Sequence, residues 1–201
     1  MIPLATQIPS KLYVACSGGP DSMFALNFVL NGRRNVKVLF FNHGTDCSKY
    51  SLELVQEYCF EKKLELIIGE LSNITPTSNL ESFWRKERHA FFKKYSDMPI
   101  LTAHTLCDAM EWYIITALNG APKLITPVNG NIIRPFLYRR KSDIVEYLQK
   151  HKIPYFIDPA NHDIKFARAK LREGTMANLL KINPGFDSVI RRLIEQSQKE
   201  K

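Results

Sequence analysis

The chain has no long apolar run and no paired cysteines, and these two absences remove several classes of protein. No apolar segment approaches the ~20 residues of a membrane helix, and the first residues lack a basic segment leading into an apolar core, so we expect a cytoplasmic protein without membrane contact. The four cysteines, Cys16, Cys47, Cys59 and Cys107, form no C-x-x-C pair. This spacing excludes zinc-finger and iron–sulfur patterns and predicts reduced thiols, with Cys16 and Cys59 buried.

Internal repeats and low-complexity segments are also absent, and the 201 residues, 45% hydrophobic and 24% charged, suit one α/β domain with a full core. The charge is unevenly placed. Residues 1–133 hold 13 Lys and Arg against 12 Asp and Glu, whereas residues 134–201 hold 15 against 8, so the last third carries +7 of the net +8. This excess indicates either solvated helix faces or an anionic partner such as nucleic acid.

A glycine-rich loop lies between an apolar run that predicts a strand and an amphipathic run that predicts a helix. The loop consists of Ser17, Gly18, Gly19, Pro20, Asp21 and Ser22. The glycines allow main-chain N–H groups to approach an anion, and the helix N-terminus favours negative charge. A carboxylate beside a phosphate site is repulsive unless a cation lies between them, so Asp21 suggests a Mg²⁺-nucleotide. The alternative is a tight strand-to-helix connection that Asp and Ser stabilise by capping.

Polar side chains follow two further predicted strands, and the carboxyl ends of parallel strands form the ligand-binding edge of a sheet. His43 follows the strand at 36–41, and His104 follows the strand at 99–103. The next predicted helix, 106–118, carries Asp108 and Glu111 on one face, a candidate site for a metal or for the ammonium of an amine. The alternative is that these carboxylates complement the helix dipole.

Two further helices carry basic residues at helical spacing. On the helix predicted at 80–95, Glu81, Arg85 and Arg88 share a face, which is typical of a surface salt-bridge ladder. The basic helix of the last third contains Lys165, Arg168, Lys170 and Arg172.

The loop resembles the SGGxDS signature of the PP-loop ATPases, which cleave ATP between its α and β phosphates. Over about residues 12–180 the order of motifs resembles the catalytic domain of bacterial tRNA(Ile)-lysidine synthetases. The motifs are SGGPDS (17–22), FNHG (41–44), ESFWRKERHAFF (81–92), LTAHTLCDAME (101–111), IIRPF (132–136) and DPANHDIKFARAKLR (158–172).

The resemblance implies a Rossmann-like parallel sheet with helices on both faces, plus a short helical C-terminal extension. Residues 1–135 would form the PP-loop nucleotide-binding core, and residues 136–201 a basic helical extension that completes the same catalytic domain. The implied reaction modifies the wobble cytidine of a CAU-anticodon tRNA(Ile). ATP-Mg²⁺ adenylates the C2 oxygen, and the ε-amine of free lysine then attacks C2, expels AMP and leaves lysidine.

The resemblance also implies residue roles. ATP binding falls to Ser17, Gly18, Gly19, Pro20, Asp21, Ser22 and His43, with Asp21 near the Mg²⁺. The implied catalytic residues are Asp21, Arg88, His104, Asp108, Glu111 and Arg168. Asp108 and Glu111 would also bind the lysine ammonium. Contact with tRNA falls to Asn161, Arg168, Lys170 and Arg172, and the target base would stack on Trp84, Trp112 or Phe166.

The chain departs from the family pattern at Thr105 and Cys107, where a histidine and an aspartate are usual, at Thr45-Asp46, where an arginine is frequent, and at Ala169, where asparagine is usual. The longer members carry C-terminal tRNA-binding domains, so we expect discrimination to come from the basic last third or from a second subunit in a homodimer. The alternatives are a thiolating enzyme that uses Cys107, a non-catalytic nucleotide- or RNA-binding module, and an amide-forming ligase for a small molecule.

Overall fold

A six-stranded, mostly parallel sheet organises the chain, which a computed structural model describes over residues 3–71, 80–159, 165 and 167–199. Its strand order is β3-β2-β1-β4-β6-β5, and only β5 runs antiparallel to its neighbour. The strands are β1 (Lys11–Ala15), β2 (Asn35–Asn42), β3 (Glu65–Glu70), β4 (Ile100–Leu101), β5 (Val128–Asn129) and β6 (Ile132–Ile133).

Helices connect these strands and form the C-terminal part of the described chain. They are α1 (Pro20–Asn31), α2 (Asp46–Glu61), α3 (Leu80–Lys93), α4 (Leu106–Leu118), α5 (Lys141–Lys150), α6 (Ala167–Lys170), α7 (Met176–Ile182) and α8 (Phe186–Lys199). A π turn, Leu171–Thr175, joins α6 to α7. Among the described helices none has the length and apolar character needed to cross a bilayer.

The two faces of the sheet are covered by different helices because successive side chains of a strand point to opposite sides. Leu12 and Val14 of β1 belong to a core that includes residues of α1, α2 and α5. Tyr13, between them in sequence, belongs to a second core with Phe91 and Phe92 of α3. The predicted α/β fold with helices on both faces is therefore confirmed.

The chain reverses its direction of travel across the sheet between β1 and β4. From β1 it proceeds outward through β2 to β3, and it then returns to β4 on the other side of β1. Val14 of β1 is paired with Leu101 of β4, so the loops that follow these two strands are neighbours. Such a switch point is where open α/β sheets bind ligands.

Residues 136–150 pack directly on α1, the helix that follows the glycine-rich loop. Phe136, fully buried, contacts the ring of Phe24 edge-on with ring centroids 5.0 Å apart. The Tyr147 hydroxyl of α5 donates to Asn27 Oδ1 of α1 at 2.9 Å. Further along, α8 packs on α4 through Ile190 and Ile194. These contacts place residues 136–150 and α8 against helices of the sheet, and the division of the chain at residue 135 stays a prediction.

Several expectations about local structure are confirmed and two features were missed. Cys16 and Cys59 are buried, and the helix predicted at 106–118 has those bounds. The strand predicted at 99–103 is shorter, since only Ile100–Leu101 pairs on both sides. The missed features are the hairpin of β5 and β6 around Gly130 and the π turn between α6 and α7.

Candidate active site

The glycine-rich loop leaves β1 at the switch point and turns at once into α1. Ser22 Oγ accepts a hydrogen bond from the Ser17 N–H at 3.1 Å and donates to the Gly19 carbonyl at 2.9 Å. Pro20 occupies the first turn of α1, where its missing N–H costs nothing. The loop is thus a fixed turn at a helix N-terminus, which is suited to binding phosphate.

Gly18 is the one loop residue whose side chain must be hydrogen. Its φ of +78° lies in the left-handed region, and a Cβ there would meet the Ser51 carbonyl of α2 at 3.0 Å. Gly19, in contrast, has φ −73°, and a Cβ there would first meet Ser17 Oγ at 3.6 Å. The close approach of α2 therefore depends on Gly18.

We expect Gly18→Ala to lower the free energy of unfolding by about 2 kcal/mol or more, because the change strains φ and crowds Ser51. Gly19→Ala is the matched control and should stay within about 1 kcal/mol of the wild type. Urea denaturation of both variants measures the difference. Equal losses would show that the loop conformation is not held as described.

Asp21 and Asp108 converge on one ammonium group, that of Lys141 on α5. Lys141 Nζ lies 3.9 Å from Asp21 Oδ2 and 3.9 Å from Asp108 Oδ1. Burial raises the pKa of Asp21 to about 6. The charge of Asp108 adds to this increase, whereas the charge of Lys141 opposes it. The two carboxylates thus come from helices that follow the two central strands.

Asp108 is held in place by the N-terminal cap of its own helix. Its Oδ2 accepts hydrogen bonds from the Thr105 N–H at 2.8 Å and from the Thr105 hydroxyl at 2.7 Å. Burial by itself would raise the pKa of Asp108, but Lys141, His104 and the two Thr105 hydrogen bonds together hold this pKa below its usual value. Thr105, one of the departures from the family pattern, therefore orients Asp108.

Glu111, one turn further along α4, forms a two-point ion pair with Arg172. The Glu111 carboxylate is 2% exposed and accepts from Arg172 Nε at 2.8 Å and from Nη2 at 3.0 Å. The hydrogen bond and charge of Glu111 raise the pKa of Arg172. Arg172 belongs to the π turn, so this local departure from α-helix carries the partner of a site carboxylate.

Four arginines form a positively charged cluster beside this site. Arg85 Cζ lies 5.1 Å from the centre of the Trp112 ring, and Arg168 Cζ lies 6.0 Å from it. Burial lowers the pKa of Arg88, and the charges of Arg85 and Arg168 lower it further. Arg134, also buried, has an Nε atom with no hydrogen-bond partner in the part of the chain that the structure describes. A bound anion would stabilise this cluster.

The two strand-end histidines are both held in the neutral form. Burial lowers the pKa of His43 to about 4, with a further decrease from Arg88 and an opposing effect of Asp158. Burial likewise lowers the pKa of His104 to about 4, and Asp108 opposes this shift. The His43 ring centroid lies 5.1 Å from that of Phe41 and 5.3 Å from that of Trp84, and its buried Nδ1 has no hydrogen-bond partner among the described residues. These imidazoles are suited to hydrogen bonding rather than to positive charge.

The low pKa of His43 predicts that acid destabilises the protein. In the unfolded chain the imidazole takes up a proton near pH 6.5, whereas the folded ring stays neutral down to about pH 4. Stability should therefore fall as the pH drops through this window, by about 1 kcal/mol between pH 6.5 and pH 5 after allowance for solvent screening. Asp21, with its raised pKa, acts in the opposite direction.

Urea denaturation of wild type and His43→Gln at several pH values isolates this contribution. The variant should show a shallower decline between pH 6.5 and pH 5. An unchanged decline would mean that His43 titrates normally in the folded protein.

The structure brings most of the predicted site residues to one edge of the sheet, but not all in the expected setting. Arg168 lies against Trp112 and Arg172 against Glu111, while Lys170 is exposed. Asn161, Phe166 and the side chain of Glu81 lie outside what the structure describes. The sequence reasoning missed Lys141, although three successive basic residues at the start of a helix, against the dipole, are an unusual pattern.

The donor set suits a divalent cation that is shared with phosphate oxygens. Asp21 and Asp108 each have a carboxylate oxygen 3.9 Å from the Lys141 ammonium, so carboxylate oxygens already face a positive charge beside the loop. Within the described residues, no group of three or more His, Cys, Asp or Glu is arranged to hold a metal by itself. Mg²⁺ often binds in this way, through one or two carboxylates and a nucleotide.

A family model described as the PP-loop domain matches residues 3–179. The chain belongs to the PP-loop domain family. The matched range includes the glycine-rich loop, the switch point and the strand-end residues.

Curated relatives are named tRNA(Ile)-lysidine synthase. The chain is 28% identical over 198 residues to that of Francisella tularensis subsp. novicida, covering 92% of this chain and 50% of the relative. It is 33% identical over 177 residues to that of Mesoplasma florum, covering 79% and 44%. The similarity to lysidine synthases is therefore confirmed, and the chain spans about half the length of these relatives.

Solved structures share the fold at low sequence identity. A U34-tRNA thiolase, NcsA from Methanococcus maripaludis with its [4Fe-4S] cluster, matches with a TM-score of 0.74 at 19% identity, over 94% of this chain and 72% of that one. The NH3-dependent NAD synthetase of Campylobacter jejuni matches with a TM-score of 0.54 at 16% identity, over 95% and 86%. These similarities establish the fold, and the reaction has to be inferred from the site residues.

Proposed function

We propose that this chain is an ATP-dependent ligase that converts the wobble cytidine of a CAU-anticodon tRNA(Ile) to lysidine. The observation that carries the proposal is that Asp21, in the glycine-rich loop, lies close enough to Asp108 and Glu111 for both charges to raise its pKa. A nucleotide and an amine would be neighbours there. The proposed substrate, tRNA(Ile), is taken from the names of the relatives.

In the first step the loop would hold ATP so that the C2 oxygen of cytidine attacks the α-phosphorus and pyrophosphate leaves. The Ser17 hydroxyl and the N–H groups at the N-terminus of α1 would donate to the phosphates, while Ser22 would hold the loop in shape through its hydrogen bonds with Ser17 and Gly19. Mg²⁺ bound near Asp21 would neutralise charge on those phosphates. Arg88, in the arginine cluster, would stabilise the negative charge that develops on the phosphoryl group. Neutral His43 and His104 would donate or accept hydrogen bonds at the nucleotide edge.

In the second step the ε-amine of lysine would attack C2, form the C–N bond and expel AMP with the former C2 oxygen. Only the unprotonated amine is a nucleophile, so a nearby carboxylate must bind the ammonium and receive a proton. Asp108 and Glu111 are the candidates. Each faces a cation of the protein itself, Lys141 or Arg172. Because Lys141 also faces Asp21, the carboxylates keep an excess of negative charge that the incoming ammonium would balance.

The RNA would approach over the arginine cluster and the helices of the last third. Trp112, with guanidinium groups of Arg85 and Arg168 near its ring, is the best-placed candidate to stack on the target base. Lys170 is exposed and available for phosphate contact. Asn161 is proposed for the same surface from the sequence alone. A homodimer that supplies further RNA contacts belongs to the proposal, and mass photometry with and without RNA tests it.

The thiolation alternative is less well supported by the cysteines. Burial raises the pKa of the Cys107 thiol, which disfavours the reactive thiolate. Cys16 and Cys59 are buried in the core, and burial raises the pKa of both. A sulfur-carrying role would need a more exposed and more acidic thiol.

Incubation with ATP-Mg²⁺, radiolabelled lysine and an unmodified CAU-anticodon tRNA(Ile) transcript tests the proposal. Methionine tRNA, which has the same anticodon, is the matched RNA control. We expect ATP-dependent label in the isoleucine tRNA alone. Pyrophosphate release without lysine incorporation would redirect the search to another nucleophile, and the absence of both would favour a binding module.

A further inference from the structure

Lys141 is placed between two carboxylates by the packing of α5. This helix buries Ile144 and Leu148 in the core that it shares with α1, and Lys141 is its first residue. A cation at a helix N-terminus is disfavoured by the dipole. The carboxylates Asp21 and Asp108 compensate for that cost.

The neighbouring basic residues each have a different acidic partner. Arg139, which precedes α5, pairs with Asp143 of α5, and Arg140 pairs with Asp187 of α8. Lys141 alone of these three is directed to the site, and its side chain is 32% exposed. The three consecutive charges are thus not one solvated patch.

The distances indicate a cation that is held by charge rather than by hydrogen bonds. Lys141 Nζ lies 3.9 Å from an oxygen of each carboxylate, beyond the usual hydrogen-bond range of about 2.7–3.2 Å. A lysine has a flexible stem and a compact charge, so its ammonium can move when a stronger anion arrives. An ATP phosphate beside the loop would be such an anion.

We propose that Lys141 is an internal counter-ion for Asp21 and Asp108 that keeps a free divalent cation out of the site until ATP brings one. With both carboxylates ionised, the trio of Lys141, Asp21 and Asp108 has a net charge of −1, which attracts a divalent cation less strongly than the −2 of the carboxylates alone. When ATP binds, the ammonium would turn to its phosphates, which leaves Asp21 to face the metal and Asp108 free for the amine. Lys141 is thereby a positioning residue that couples metal entry to nucleotide entry.

Binding of Mn²⁺ to the nucleotide-free protein tests this inference, with the signal of free Mn²⁺ measured by electron paramagnetic resonance. Lys141→Met should bind Mn²⁺ at least about tenfold more tightly than wild type. Adding Asp21→Asn to that variant should remove the gain. Lys150→Met, an exposed lysine in the last turn of α5, is the matched control and should behave as wild type.

Equal Mn²⁺ affinity in Lys141→Met and wild type would overturn the inference, as would a gain that survives Asp21→Asn. Circular dichroism checks folding, and Lys141→Gln replaces the methionine variant if that variant does not fold. Lys141→Arg, which retains a cation, should keep Mn²⁺ affinity near that of wild type. The inference rests on the proposed ATP site, but the experiment uses neither RNA nor lysine. Its failure is therefore separate from failure of the proposed function.

Discussion

Asp21→Asn should reduce ATP cleavage by about 1000-fold or more, because it removes the carboxylate beside the phosphate loop while preserving shape. Asp21 lies in the first turn of α1 and faces Lys141 and Asp108. Without its charge, a metal shared with the ATP phosphates would lose a principal ligand. Pyrophosphate release in the presence of tRNA measures the effect.

Asp46→Asn is the matched control for this change. Asp46 is also an acidic residue in the first turn of a helix that follows a strand, but its side chain is 88% exposed and pairs with Lys49. We expect this variant to retain activity within about twofold, as for a surface charge. Comparable loss in both variants would mean that Asp21 has no special place in the reaction.

Asp108 allows the two steps of the reaction to be separated. We expect Asp108→Ala to reduce lysine transfer more than pyrophosphate release, since this carboxylate would bind the amine. Its loss also removes the cap that it forms with Thr105, so the variant is assayed at a temperature where circular dichroism shows it folded. Equal loss of both steps would contradict the assignment of Asp108 to the amine.

Removal of Glu111 should destabilise the protein by about 3–5 kcal/mol, because Arg172 would be left half-buried with its charge uncompensated. The pair joins α4 to the π turn through two hydrogen bonds, and the Glu111 side chain is 2% exposed. Urea denaturation of Glu111→Ala, Arg172→Ala and the double variant measures their coupling. The double variant should be more stable than the sum of the single losses predicts.

The surface pair Arg191–Glu195 of α8 is the control for that cycle. Arg191 Nε lies 3.0 Å from Glu195 Oε1, and the two side chains are 43% and 44% exposed. The coupling energy of this pair should therefore stay below about 1 kcal/mol. If Glu111→Ala costs no more than Glu195→Ala, the Glu111–Arg172 pair does not hold the π turn against α4.

The sequence was sufficient for the features that local chemistry decides. The turn at residues 17–22 follows from two glycines and a helix start, and the side of the sheet that each residue of β1 faces follows from alternation. The position of His43 and His104 at strand ends also follows from the order of apolar runs. Each of these features can be predicted from neighbouring residues alone.

Contacts between distant segments could not be predicted in the same way. Lys141 lies 120 positions after Asp21, and Arg172 lies 61 positions after Glu111. Nothing in the local pattern says which surface of α5 or of the π turn meets α4. The resemblance implies RNA contact for Arg172, which stays a prediction, whereas its ion pair with Glu111 is seen only in the folded chain. The short β5–β6 hairpin was missed because two-residue strands have almost no periodicity.

The most direct test of base adenylation followed by lysine attack is the ratio of AMP formed to lysine incorporated. Both are measured on the CAU-anticodon tRNA(Ile) transcript with α-labelled ATP and labelled lysine. If the base is adenylated at this loop, one AMP forms for each lysine, no ADP forms, and both products are lost in Asp21→Asn. Formation of ADP, or lysine incorporation without AMP, would contradict adenylation of the base at this loop.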